Sequence, residues 1–185
     1  MNKSNIVLTL VATVGIISTA HSASTGTITF NGELTANTCD AVVDNQNADA
    51  IVTLPTVGIN QLENQGQTAG RTGFNIALSN CDSALTAASA FFAAGPSVDF
   101  ASGHLKNTDE SDGGAKLVSL QLRDEAPGAG SKIIQAGNGN QATSTQYVDV
   151  ISGTANLPYS VEYFADGTAT AGNVTSNVVY FIQYK

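Results

Sequence analysis

The groups able to do chemistry in this chain of 185 residues are few: two cysteines, two histidines and scattered carboxylates. Cys39 and Cys81 have no Cys-x-x-Cys partner and no cation-rich surroundings that would hold a thiolate. With His21 and His104 they are too few for a Cys/His zinc site. His104, in Ser102-Gly103-His104, reads as a loop histidine, with no serine or cysteine motif beside it for nucleophilic catalysis. Asp109-Glu110-Ser111-Asp112-Gly113-Gly114 has the wrong register for a calcium loop and lacks its final acidic ligand, so it reads as a solvated acidic loop. Gly128-Ala129-Gly130-Ser131-Lys132 and Gly137-Asn138-Gly139 are Gly-rich, but neither is followed by a phosphate-binding signature, and both read as turns. Asp149, Glu162 and Asp166 form no pair that spacing alone can identify. The expectation is a protein without catalysis, cofactor or metal.

The elements that carry these residues begin with an address. Lys3 precedes an uncharged, mostly apolar stretch over 6–20, and Ala20-His21-Ser22-Ala23 follows it. Basic start, apolar middle and small residues describe a secretory signal over 1–22, cut after Ser22 or Ala23. The stretch is shorter than the roughly 20 residues of a spanning helix. Cleavage leaves 6 cationic against 15 acidic side chains, a balance that opposes binding to nucleic acid or anionic lipid. Both cysteines lie in the exported part. An even count in an oxidising compartment favours a disulfide over free thiols or a reactive cysteine.

The rest of the chain reads as one all-β domain. Period-2 alternation, or β-branched and aromatic enrichment, marks 27–36, 50–54, 73–79, 116–123, 147–152, 158–164 and 177–185, with weaker runs at 90–93, 98–101 and 132–135. Turn residues punctuate them, which suggests a sandwich. In 116–123, Leu117 and Ser119 project one way and Val118, Leu120 and Leu122 the other, predicting one buried face. The Ala-rich 83–94 run has room for a helical turn. The last run is apolar on both faces: Val178, Tyr180, Ile182 and Tyr184 on one, Val179 and Phe181 on the other. Such a strand is expected inside the core with a neighbour on each side. No strand follows it, so one neighbour must come from elsewhere. The spare candidate is the segment with Gly26, Ile28 and Phe30 on one side, folding back or inserting into another copy. Asn31-Gly32 offers a competing hairpin that would pair 27–30 with 33–36.

Three stretches, Gly26 to Cys39, Gly73-Phe74-Asn75-Ile76-Ala77-Leu78-Ser79-Asn80-Cys81 and the 177–185 ending with its penultimate Tyr184, resemble chaperone–usher pilins, most of all the type 1 fimbrial major subunit family. Leu157-Pro158-Tyr159-Ser160-Val161-Glu162-Tyr163 resembles that family's region before its last strand. The resemblance implies an incomplete immunoglobulin-like β-sandwich lacking its final strand, completed by donor-strand complementation. It implies a donor extension at 23–32 and a pilin domain at 33–185. Ile28 and Phe30 would be donor side chains, and Gly26 the position where a Cβ would crowd the acceptor. Cys39 and Cys81 match the family disulfide, and Tyr180, Ile182 and Tyr184 the pattern read by a periplasmic chaperone. The implied partners are neighbouring pilin subunits, that chaperone and an outer-membrane usher; the implied destination, through the periplasm, is a fimbria on the cell surface supporting adhesion. The contrasting reading is a self-contained secreted β-sandwich that binds carbohydrate. The absence of tryptophan, and the crowding of Tyr163, Phe164, Tyr180, Phe181 and Tyr184 into two late strands, argue against it.

Overall fold

Where apolar and polar residues alternate with period 2, strands form, and stacking their apolar faces makes the core. A computed structural model describes residues 26–32 and 38–185. Residues 26–32 belong to a separate unit from the main body and carry no strand or helix. The main body contains β1 (Asp40–Val43), β2 (Thr68–Ser79), β3 (Ala87–Phe92), β4 (Leu105–Lys106), β5 (Val118–Asp124), β6 (Lys132–Ile134), α1 (Gln141–Ser144), β7 (Val148–Asp149), β8 (Ala155–Ala165) and β9 (Tyr180–Tyr184). Two antiparallel sheets result. The larger runs β1-β2-β8-β5-β4, with β6 also on β5; the smaller runs β7-β3-β9.

Register places the core residues opposite one another. Ile76 faces Leu157, Leu122 faces Val161, and Ala90 faces Ile182 across their ladders. Phe92 meets Tyr159 edge-on with ring centroids 5.1 Å apart, and Phe74 completes the cluster. The Tyr159 hydroxyl accepts the Ala90 N–H at 2.8 Å, so the one polar atom of this ring is satisfied. In β2 the register shifts between Ala69 and Thr72. Gly70 makes that bulge at φ +65°, and a Cβ there would sit 3.0 Å from the Tyr163 ring.

Several expectations are corrected. The Ala-rich run is strand β3, not a helical turn: Ala88 and Ala90 are fully buried against the larger sheet, and that packing overrides helix propensity. Residues 50–54 form no strand; Ala50, Val52 and Leu54 pack against the core without a ladder neighbour among the described residues. β5 is buried on both faces, because Ser119 and Gln121 are covered as completely as Leu120 and Leu122; Leu117 lies outside the strand at φ +56°. The last strand is at an edge, with β3 as its only described partner. Phe181 is 59% exposed, so only one of its apolar faces is covered.

The helix α1 has no sequence signal, and its use is in one side chain. Gln141 is buried; its Oε1 accepts the Phe92 N–H at 2.9 Å and its Nε2 donates to the Phe92 carbonyl at 3.0 Å. β7 pairs only Ala87 and Ala88, so this amide stands where a longer strand would have continued.

Candidate functional site

β9 is the element around which a site forms. Ala87 and Lys185 exchange both backbone hydrogen bonds, at 3.3 and 2.8 Å, and the Val179 carbonyl accepts the Ala93 N–H at 2.7 Å. An antiparallel ladder repeats that phase every second residue. Val179, Phe181 and Gln183 therefore turn their main-chain groups towards β3. The N–H and C=O groups of Tyr180, Ile182 and Tyr184 face the free edge, where no described strand lies.

Beside that edge the sandwich is open. A groove of about 730 Å³ lies between β9 and the chain around β1, and its lining includes Ile76, Phe92, Leu120, Leu122, Val161 and Ile182. These are core side chains, so the groove exposes the inside of the sandwich. A second, separate hollow of about 470 Å³ is lined by Val57, Ile59, Leu62, Val118, Tyr163 and Val174. Two phenols cross from β9 to the opposite wall. The Tyr184 hydroxyl accepts the Cys39 N–H at 3.1 Å, and the Tyr180 hydroxyl donates to the Ala48 carbonyl at 2.9 Å. Burial, and then the charge of Asp49, push the Tyr180 phenol above its ordinary pKa, so it remains a donor. An apolar slot flanked by unpaired main-chain groups fits one kind of ligand, an extended strand.

The expected site residues fall into two groups. Tyr180, Ile182 and Tyr184 all line the groove. Cys39 and Cys81 are bonded to each other, joining the residue before β1 to the chain just after β2 at one end of the groove. Gly26, Ile28 and Phe30 lie in the other unit, where Ile28 is 76% and Phe30 88% exposed. Of the competing hairpin, residues 27–30 show no strand, and 33–36 lie outside the described residues. The signal over 1–22 also lies outside them.

Sequence reasoning missed a polar network on the outer face of the larger sheet. Arg71 and Arg123 both donate to Glu162, at 2.9 and 2.5 Å, and Glu162 is only 2% exposed. Arg123 also donates to the Gln121 Oε1. That fixes the amide, so Gln121 Nε2 donates to His104 Nε2 at 2.9 Å and the imidazole proton sits on Nδ1, 3.3 Å from the Ser119 hydroxyl. Ser119 in turn donates to Asp166 at 3.1 Å. The carboxylate thus bonds the serine and not the imidazole, which is not the order of a nucleophile relay. His104 is in a loop, as expected, just before β4, but it is buried against the Phe164 ring with centroids 4.3 Å apart. Ser119, Gln121 and Arg123 alternate along one strand, but Arg71, His104, Glu162 and Asp166 join them only through the fold.

Burial lowers the His104 pKa, although Asp166 and Asp99 pull the other way. The folded chain therefore holds the neutral ring, while the unfolded chain takes up a proton at about pH 6.5. Stability is fully present above that pH and declines as the pH falls through it towards the lower folded value. Replacing His104→Gln is expected to flatten this decline, read as the change in denaturation midpoint between mildly alkaline and mildly acidic buffer. An equal decline in both chains would contradict the assignment.

Glu110–Asp112 is a short exposed 3₁₀ turn, and among the described residues no three His, Cys, Asp or Glu side chains approach closely enough to hold a metal.

Comparison with known proteins bears on the groove. The family described as "FimA: Type-1 fimbrial protein, A" matches residues 54–185. The F17 fimbrial protein of Escherichia coli is 37% identical over 180 residues, covering 93% of this chain and 96% of its own. The major fimbrial subunit SMF-1 of Stenotrophomonas maltophilia is 41% identical over 169 residues, covering 89% and 95%. Among solved structures, a chaperone–usher pilus structure superposes with a TM-score of 0.58 at 18% identity, covering 89% of this chain and 98% of that one. The P pilus rod subunit PapA gives 0.58 at 15%, covering 78% and 99%. These likenesses support the fimbrial reading and not the carbohydrate-binding one. With its open immunoglobulin-like sandwich and the free edge of β9, the chain belongs to the type-1 fimbrial protein family and is a structural subunit of a bacterial surface fimbria.

Proposed function

We propose that this subunit polymerises by donor-strand exchange, with residues 23–32 of one copy lying along β9 of the next. The observation that supports it is the free edge of β9 over a groove floored by core side chains. A strand laid there gains main-chain hydrogen bonds from Tyr180, Ile182 and Tyr184. Ile28 and Phe30, two residues apart, enter the slot on one face, each contributing about 1.5–3 kcal/mol by burial. Gly26 continues that face where space for a Cβ is scarcest. Residues 1–22 direct the chain to export and are removed. A periplasmic chaperone fills the groove during folding, reading Tyr180, Ile182 and Tyr184, until an outer-membrane usher mediates the exchange into a filament that supports cell adhesion. Covering the groove also removes an aggregation-prone edge.

A synthetic peptide of residues 23–32, added to a chain lacking its own residues 23–30, tests this. At a hundredfold excess over its Kd the peptide is expected to stabilise the acceptor by about 2.7 kcal/mol. For a chain of this size that raises Tm by about 5–10 °C. Peptides carrying Ile28→Asp or Phe30→Asp are expected to give no rise. Equal stabilisation by the aspartate peptides would reject the donor assignment.

A further inference from the structure

The sequence contains two Asn-Gly pairs, and the structure treats them differently. Asn138, before Gly139, is held on every polar group. Its Nδ2 donates to Gln135 Oε1, and its Oδ1 accepts the Asn140 N–H at 3.0 Å. Its N–H donates to the Gln135 carbonyl, and its own carbonyl accepts from both the backbone and the side chain of Gln141. Asn31, before Gly32, is exposed, carries no secondary structure, and has no hydrogen bond among the described residues. A Cβ at Gly32 would meet nothing within 4 Å, so no neighbour restrains the backbone on that side.

We propose that Asn31 is a site of spontaneous, water-dependent modification that is open in the unassembled subunit and closed in the filament. The Gly32 main-chain nitrogen, losing its proton, attacks the Asn31 Cγ. The bond from Cγ to the side-chain nitrogen breaks, and that nitrogen leaves with the proton as ammonia. The resulting five-membered imide is opened by one water. Attack at one carbonyl gives aspartate. Attack at the other gives isoaspartate, whose main chain runs through Cβ and Cγ and is one carbon longer. Glycine favours the ring closure because it lacks the Cβ that would obstruct the approach. Asn138 is protected because closure would break its hydrogen bonds.

The protection in the filament rests on the donor-strand reading. Asn31 follows Phe30 directly, so a paired donor strand holds it near the extended ψ of about +135°. From there the Gly32 nitrogen does not reach Cγ. Either product places a carboxylate at the end of the donor strand, and isoaspartate also breaks its period-2 register immediately after Phe30. Subunits that wait too long are therefore marked as poor donors, whereas assembled ones keep the original residue.

Peptide mapping by mass spectrometry, with detection of isoaspartate, tests both parts in mildly alkaline buffer. One sample is the mature chain with its groove filled by excess synthetic peptide of residues 23–30, which itself lacks Asn31. The other is fimbriae sheared from cells. In the peptide-filled chain, Asn31 is expected to convert at least about tenfold faster than Asn138, the factor corresponding to about 1.4 kcal/mol. In fimbriae the two rates are expected to converge. Equal rates in the peptide-filled chain would overturn the site. A fast Asn31 in fimbriae would overturn the protection alone and leave the site standing. Failure of the peptide to bind would count against the donor-strand reading, while the ratio of Asn31 to Asn138 could still be read on the chain itself.

Discussion

Removing residues 23–30 is expected to abolish filament formation while leaving the rest of the domain able to fold once its groove is filled. That deletion removes no residue of β1 to β9, of the disulfide or of the aromatic cluster. What it removes is the pair Ile28 and Phe30, exposed in the single copy and proposed above to enter a neighbour's groove. Burial of the two contributes about 3–6 kcal/mol, and the main-chain ladder along β9 adds to it. Each link of the filament depends on one such strand, so the loss is all or none. The measurement is the ladder of species that withstands unheated detergent, together with electron microscopy of material sheared from cells. The shortened subunit is expected only as a monomer, stabilised by added peptide but never linked. A normal ladder would show that the link between copies lies elsewhere.

The second large effect concerns the bridge. Opening it with Cys39→Ser and Cys81→Ser is expected to destabilise the peptide-filled domain by about 4 kcal/mol, the chain-entropy value for a loop of this size. The bonded pair is 42 residues apart in sequence. That loop contains β1, Ala50, Val52 and Leu54 that wall the groove, and all of β2. A domain of this size has only about 5–15 kcal/mol of total stability, and an open sandwich starts with less core than a complete one. The serine chain is therefore expected to fold poorly without an occupant in its groove. Denaturant titration with peptide present gives the measurement: a lower midpoint with an unchanged slope. A loss below about 1 kcal/mol would mean that the unfolded chain is already restrained in this region.

How much of this was legible in the sequence follows from the range of each interaction. β2, β8 and β9 announce themselves because alternation is local: Ile76 and Leu78, Leu157 and Tyr159, and Ile182 and Tyr184 each sit two residues apart. β3 does not, because Ala88 and Ala90 carry no pattern of their own and become strand only against Tyr159 and β9. The two apolar faces of β9 suggested burial on both, yet the face with Val179 and Phe181 is open. Residue type gives the surface a strand prefers, not whether a partner is present. The groove was legible as an argument about a missing neighbour, while its lining by Leu120, Leu122 and Val161 depended on the fold. His104 is the loop residue its sequence suggested, but its burial was not legible because its partners, Ser119 and Gln121, are distant in sequence. The shared face of Ile28 and Phe30 was read from alternation and their donor role from the resemblance to pilins; in a single copy they form no strand.

The buried amide of Gln141 bears on how copies can be joined. By occupying the N–H and C=O of Phe92 it seals the flank of β3 that the two-residue β7 leaves uncovered. Among the described residues, the free edge of the smaller sheet that opens onto the groove is then that of β9. On the donor-strand proposal, one receptive edge and one donated strand give each copy a valence of two, and units of valence two connect head to tail into threads without forks.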